Sequence, residues 1–491
     1  MSAPPLTAAQ MKMVLQRSMR TAKEHPDPIP LPVVEGAVPS GLRGVLWRNG
    51  GGRFERGGVS YGHPFDGDGM ISRFAFADGT VRFRSRFVRT REYRVEDAAD
   101  AICFRGFGTN KPGGIPSNIA RSRFKNAANT NIVPHAGRLM ALWEGGLPHL
   151  IAPGSLETRA RYSFDGALKN RRSPIDALVN PELAFSAHPR LDEETGELVN
   201  FGLVFGLRSR LMLYRISADG VMAPLRSIPL PALSFTHDFA LTRRWQIFFL
   251  PAVRFDIPRA LLGLASPVQS LQIREDEPME IWLVPRDGGA PVRIAGPPGF
   301  IFHVAHAYED DHGNAVVDGM WLERFPDLTD LPRVLAETPP TGIVARPVRY
   351  VLDPKRRTCQ GTPLSTHGAE LPRIAPGHFN RPAPAFWATT CPPGRPQPFF
   401  TGLGRFDAAR QQVVARDFGA DLPSEPIFAP NADGDGGWVL SVLFRAQGGE
   451  SELLILDPDT LETVARLAMP HHLPPGFHGS FLTEEKLPSY S

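Results

Sequence analysis

From Gly41 onward the chain alternates short apolar runs with turn residues, the rhythm of strands closed by hairpins. Arg73-Phe-Ala-Phe-Ala-Asp-Gly-Thr-Val-Arg-Phe-Arg alternates apolar and polar positions on both sides of Asp78-Gly79, a dipeptide suited to a tight hairpin turn. The runs beginning at Leu213, Ile281 and Leu453 each lead an apolar strand into an Asp-containing turn. Ser155-Leu-Glu-Thr-Arg-Ala-Arg161 and Thr460-Leu-Glu-Thr-Val-Ala-Arg466 share LETxAR, which predicts one hairpin used twice in a radial array. Such repeats run roughly 40–50 residues, so this length allows about six or seven blades with long insertions. Two segments break the rhythm. Residues 8–24 predict a short amphipathic helix. Residues 257–271 form a Leu-rich stretch punctuated by prolines, suited to packing as a helix on the surface or to dipping into a membrane surface.

Composition agrees with one large all-β domain over residues 1–491, with 1–35 as an N-terminal extension. Hydrophobic residues at 42% and charged residues at 21% describe a globular protein, and 50 prolines and 47 glycines without a collagen period suit many turns. A formal net charge of +3 excludes an electrostatic nucleic-acid binder. Three cysteines at no metal-like spacing point to a reducing compartment. The start lacks a signal-peptide core, and no window reaches a membrane-spanning length, so a cytoplasmic protein is expected, with peripheral membrane contact through 257–271.

The candidate chemistry lies in four histidines set among apolar and small residues: His188, His237, His303 and His478. A buried imidazole in such surroundings suggests a ligand, and together the four are read as one metal site. Separations of 49, 66 and 175 residues rule out a local finger. A β-propeller solves the spacing, because each blade points its innermost strand at a common axis. Imidazole ligands accept Zn, Cu, Fe or Ni, so the residues alone do not select the ion. His306 stands three positions after His303 and competes for the same role; the other histidines, His63 included, are read as structural. His63-Pro-Phe-Asp-Gly-Asp-Gly suggests a calcium loop but lacks its third oxygen ligand and closing Glu.

Six motifs then come in order along nearly the whole chain: HPFDGDGM from His63, NTNIV from Asn129, ALWEGG from Ala141, SAHPRLDEETGEL from Ser186, FTHDFALT from Phe235 and PPGFHG from Pro474. Together they resemble the carotenoid cleavage oxygenases. That resemblance implies a seven-bladed β-propeller with helical and loop insertions capping one face. It implies Fe(II) on His188, His237, His303 and His478, with Asn more usual where His306 stands. It also implies carboxylates accepting from the second nitrogen of the ligands, matched here by Glu144, Glu370 and Glu425. Such partners fix the imidazole tautomer and offset the charge of an ion held by neutral ligands. Thr130 matches a position whose methyl crowds one open coordination position; its plainer reading is a turn.

The implied reaction is O2-dependent cleavage of a conjugated C=C bond into two carbonyls. Phenol-cleaving relatives place Lys before the first of these glutamates and Tyr some thirty residues upstream. Here Trp143 precedes Glu144, and Ile102-Cys-Phe-Arg-Gly-Phe107 offers Phe. A phenolate would lack a charge-assisted partner. An apolar carotenoid or apocarotenoid is therefore the expected substrate, with 31 phenylalanines available to core and tunnel. The rivals are a stilbenoid or phenylpropanoid alkene, a binding propeller without chemistry, and a Ca2+ hydrolase, which the histidines disfavour.

Overall fold

A strand buried on both faces needs apolar side chains at odd and even positions alike, and Trp245–Leu250 and Gly437–Phe444 are built that way. Ile247 and Phe249 pack toward one neighbouring sheet, Phe248 and Leu250 toward the other. The computed structural model, which describes residues 7–119, 124–170, 181–204, 209–230, 235–274, 276–323, 345–393 and 399–487, arranges these strands as a seven-bladed β-propeller.

Blades 2 to 6 follow in chain order. Their innermost strands are Asn131–His135, Arg190–Leu191, Ala240–Leu241, Phe300–Glu309 and Gly368–Ile374, each followed outward by three antiparallel strands. Blade 7 sets Leu422–Pro423 and Ile427–Pro430 inside Gly437–Phe444, then Ser451–Leu456 and Thr463–Ala468. Blade 1 takes Gly44–Arg53, Asp68–Ala77 and Thr80–Phe87 from the N-terminal part and its innermost strand, Gly479–Thr483, from the C-terminal part. The ring is closed a second time by the stretch expected as an extension. His25–Pro30 edges blade 1, and Val33–Gly36 edges blade 7. Ahead of them Ala8–Ser18 forms the expected helix, opened by a capping box between Thr7 and Gln10, with Val14 packed against Leu422 and Phe444.

Seven apolar layers separate the blades, one at each interface. Between blades 1 and 2 the layer centres on Trp47, with Ile71, Ile132 and Leu139. The Asp78-Gly79 hairpin pairs Ala77 with Thr80, and both turn residues have positive φ, as that turn demands. The two LETxAR stretches close equivalent turns in blades 2 and 7. Leu156 and Leu461 sit at φ 61° and 59°, donate to the carbonyls of Ala152 and Asp457, and bury their side chains.

The insertions between blade strands include helices Arg91–Ala99, Gly114–Asn118 and Ile257–Leu261. Buried Arg105 ties two of them together, donating from Nη1 to the Asn118 and Ala260 carbonyls and from Nη2 to that of Ala265. Gly263, at φ 69°, lets the chains touch, since a Cβ there would come within 2.8 Å of the Asn118 backbone. A buried ion cluster holds the same region to blade 1: Lys125 Nζ contacts Asp68 and Glu96 at 2.6 and 2.8 Å, and Arg56 pairs with Asp68 at 2.7 Å. No helix among the described residues is long and apolar enough to cross a membrane.

The layer around Trp47 gives a direct test of blade packing. Trp47→Ala should lower unfolding free energy by about 3–5 kcal/mol, the usual effect of removing a buried Trp, read from denaturant melts. A loss below about 1 kcal/mol would mean that the interface between blades 1 and 2 is not closely packed.

Candidate metal centre

Each of the four histidines enters from a different blade, at a place where an innermost strand begins or breaks. His188 and His237 precede the inner strands of blades 3 and 4, and His478 precedes that of blade 1. His303 lies within Phe300–Glu309, where the pairing register slips twice, between Ile301 and Val304 and between Val304 and His306. Such bulges re-aim side chains. His303 turns to the axis, while His306 sends Nε2 to the Arg381 carbonyl, which removes the competition between them.

The four Nε2 atoms converge. His188 and His237 are 2.9 Å apart, His237 and His303 3.2 Å, and His303 and His478 3.2 Å. One nitrogen from each residue lies within 4.8 Å of all the others, and all four residues are buried. With ligand bonds of about 2.1 Å, right-angle neighbours stand about 3.0 Å apart and tetrahedral ones about 3.4 Å. The adjacent spacings lie in or next to this range, as those of ligands of a single ion would.

Three carboxylates fix the rings from behind. Glu370, at a bulge where Leu371 takes φ 54°, closes on Nδ1 of His303. Glu144, in the turn after Arg138–Leu142, closes on Nδ1 of His237. Glu425, in the gap between the two inner segments of blade 7, accepts from Nδ1 of His478 at 2.8 Å. With Nδ1 carrying the proton, the His303 and His478 rings present a bare lone pair to the centre, and the Glu144 carboxylate against Nδ1 of His237 favours the same tautomer there. His188 has no carboxylate bonded to it among the described residues.

Burial and the neighbouring imidazoles push His188 well below its ordinary pKa. Burial lowers His478 to about 4, with Glu425 opposing. At His303 burial also lowers the value, but Glu370 outweighs it and the net shift is upward, so metal binding there competes with a proton. Converging lone pairs in a buried space are stable only around a cation. The donor set fits a divalent metal.

Thr130 belongs to the same wall. Its carbonyl accepts from the His478 N–H at 3.2 Å, and its hydroxyl donates to Asn129 Oδ1. Asn129 in turn donates to the carbonyls of Phe65 and Gly67, so the NTN stretch locks the HPFDGDG turn beside the centre. In that turn Asp66 accepts from Phe107 N, Gly108 N and Thr109, while Asp68 pairs with Arg56 and Lys125. Both carboxylates are fully engaged by the protein itself. An aromatic cluster lies beside the centre. Phe302 stacks on His237 at 4.0 Å, Phe65 lies against Phe302 and Phe477, and Phe107 against Phe65 and Phe235.

Sequence reasoning did not single out Arg48 and Arg373, which flank Glu425. Arg373 Nε donates to its Oε1 at 2.7 Å, and Arg48 donates to its backbone carbonyl at 2.7 Å. The one available signal was an arginine inside the apolar run GVLWRNGGG, where an unpaired charge is not tolerated.

A protein-family profile described as Retinal pigment epithelial membrane protein matches residues 19–483. Apocarotenoid-15,15'-oxygenase of Synechocystis is 34% identical over 465 residues, covering 91% of this chain and 92% of its own. Resveratrol cleavage oxygenase 1 of Aspergillus fumigatus is 30% identical, covering 85% of each chain. Cobalt-substituted Synechocystis ACO superposes with a TM-score of 0.88 at 31% identity, covering 96% of this chain and 99% of that one.

Burial alone would raise the Glu425 carboxyl, but Arg373 and His478 carry it down to about 2. An unfolded Glu titrates near ~4.3, so Glu425 contributes stability that is present above that pH and is lost as pH falls toward 2, at about 1.4 kcal/mol per unit. Metal-free Glu425→Gln should therefore melt well below the parent at pH 7, and the gap should narrow at pH 3.5. A gap that is equal at both pH values would show that the carboxylate charge is not what stabilises this corner.

Proposed function

The chain belongs to the RPE65 family of carotenoid cleavage oxygenases, and on that premise we propose that it is a non-haem Fe(II) dioxygenase acting on a carotenoid or apocarotenoid. One conjugated C=C bond and one O2 are consumed, and two carbonyl products account for every atom. The observation that carries the reading is the convergence of four imidazoles, three of them backed by carboxylates, beside an aromatic wall.

Bound at His188, His237, His303 and His478, ferrous iron would supply the redox-active centre that lets O2 react with an alkene. The protein supplies the rest. Glu144, Glu370 and Glu425 hold the Nδ1 protons and so the ring orientations. Thr130 fixes the backbone of His478 and shapes the space beside it. Phe65, Phe107, Phe235 and Phe302 offer an apolar, polarisable surface that would exclude water and seat a polyene. Trp143, rather than a cation, stands next to Glu144, which favours a polyene over a phenolate. Cys103, Cys359 and Cys391 are free thiols, in keeping with a reducing cytoplasm.

A delivery surface for an apolar substrate lies beside this wall. Ile115 and Ile119 are exposed next to Leu262 and Leu264, which are 48% and 55% exposed. The segment that carries the leucines continues to Val268, whose N–H donates to the Phe107 carbonyl at 2.9 Å. We read this patch as a peripheral membrane contact.

Two measurements test these readings. Protein purified without added metal should carry about one iron per chain, and His237→Ala, lacking one ligand, only traces. The iron form should bleach a carotenoid or apocarotenoid under air and leave 4-hydroxystilbenes intact. An absence of iron even after anaerobic Fe(II) loading would remove the oxygenase reading, and preferential stilbene cleavage would replace the substrate. For the surface, Leu262→Ser with Leu264→Ser should weaken liposome binding about tenfold or more, given ~1.5 kcal/mol or more per fully buried Leu. Unchanged liposome binding would remove the membrane contact.

A further inference from the structure

The three carboxylates behind the ligands are not equivalent. Glu144 is 30% exposed at its side chain and contacts His237. Glu370 is 12% exposed and serves His303 and the Leu371 N–H, while its Oε1 has no hydrogen-bond partner among the described residues. Glu425 is 1% exposed and saturated. Its Oε2 accepts from Gly479 N at 2.9 Å and lies 3.9 Å from Arg48 Nη1. Its Oε1 accepts from both His478 Nδ1 at 2.8 Å and Arg373 Nε at 2.7 Å. Arg373 Nη2 also donates to the Gly479 carbonyl at 2.7 Å, gripping the backbone beside the ligand.

We propose that Arg373 is a positioning residue that raises the reduction potential of the centre and so keeps its metal divalent in contact with O2. Two effects act in the same direction. A guanidinium sharing Oε1 with His478 draws charge from that oxygen, so His478 keeps more neutral-imidazole character and donates less to the metal than a ring backed by an unshared carboxylate. A fixed positive charge one carboxylate away also opposes the extra positive charge of the trivalent state. Arg48, buried on the other side of Glu425, adds to the second effect. Among the described residues no arginine or lysine pairs with Glu144. A metal held there would have His237, backed by the unshared carboxylate of Glu144, on one side and the charge-compensated His478 on the other.

The inference rests on the iron reading above, and its test separates the two. The parent, Arg373→Met and Arg373→Lys would be loaded with iron anaerobically. Melts would check folding, and potentials would be measured by mediated spectroelectrochemical titration. In Arg373→Met the ferric-to-ferrous ratio at fixed potential should rise at least tenfold, a fall of about 59 mV for one electron. Its high-spin ferric EPR signal should also grow faster in air. Arg373→Lys keeps the charge and should stay near the parent. If Met unfolds the chain, Arg373→Gln, which can still hydrogen-bond Gly479, carries the same expectation. A folded, iron-loaded Met or Gln variant at the parent potential would overturn the proposal and leave the oxygenase reading intact. Equal shifts in the Lys and Met variants would also overturn it, reducing Arg373 to packing. A parent that binds no iron would overturn both.

Discussion

Four imidazole lone pairs cannot share a buried space without a cation between them, and the rest of the architecture makes that crowding tolerable. Each ring comes from a different blade, so no single segment carries the strain of bringing two donors together. Each backing carboxylate holds its proton on the far nitrogen, which keeps the near one free for a metal. The inner strands are interrupted where they carry site groups: the double register slip at His303, the bulge at Glu370, and the gap at Glu425. A regular strand would alternate these side chains between blade interfaces. The interruptions turn them to the axis instead.

Closing the ring holds these irregularities in place. Blade 1 borrows its innermost strand from the C-terminal part of the chain, one residue after His478, so closure of the propeller and placement of the last ligand are one event. The outer-edge strands His25–Pro30 and Val33–Gly36 lie across the same seam on blades 1 and 7. Apolar layers on both faces of the blades then resist opening, because parting any two blades exposes a whole layer to water.

Much of this was legible in the chain. Alternation and turn chemistry revealed strands and hairpins, and the twin LETxAR turns fold alike because both leucines adopt the same left-handed backbone. Four histidines in apolar settings pointed to a shared axis, since only a radial fold reconciles their separations. The resemblance then supplied the glutamates, which no spacing rule would have found. Other features were not legible because they depend on register. Whether His303 or His306 faces the axis is decided by a slip of pairing inside one strand. Arg373 reaches Glu425 only because blade 6 bulges between Glu370 and Arg373. The seams at residues 25–36 escaped notice because an edge strand is short, exposed and rich in proline, and so reads as an extension.

The same geometry explains how His306 is accommodated at a position where the resemblance implied Asn. An imidazole at this position gives Nε2 the length to reach the Arg381 carbonyl in the blade 6 loop. That loop continues the strand that carries Glu370 and Arg373. At its near end Gly377 and Phe379 donate to Glu193 of the acidic turn that follows His188. The loop after Glu370 and Arg373 is thus pinned to blades 3 and 5 around the axis, which steadies the strand behind His303 and His478. The departure does not add a fifth ligand. It braces the frame that holds the other four.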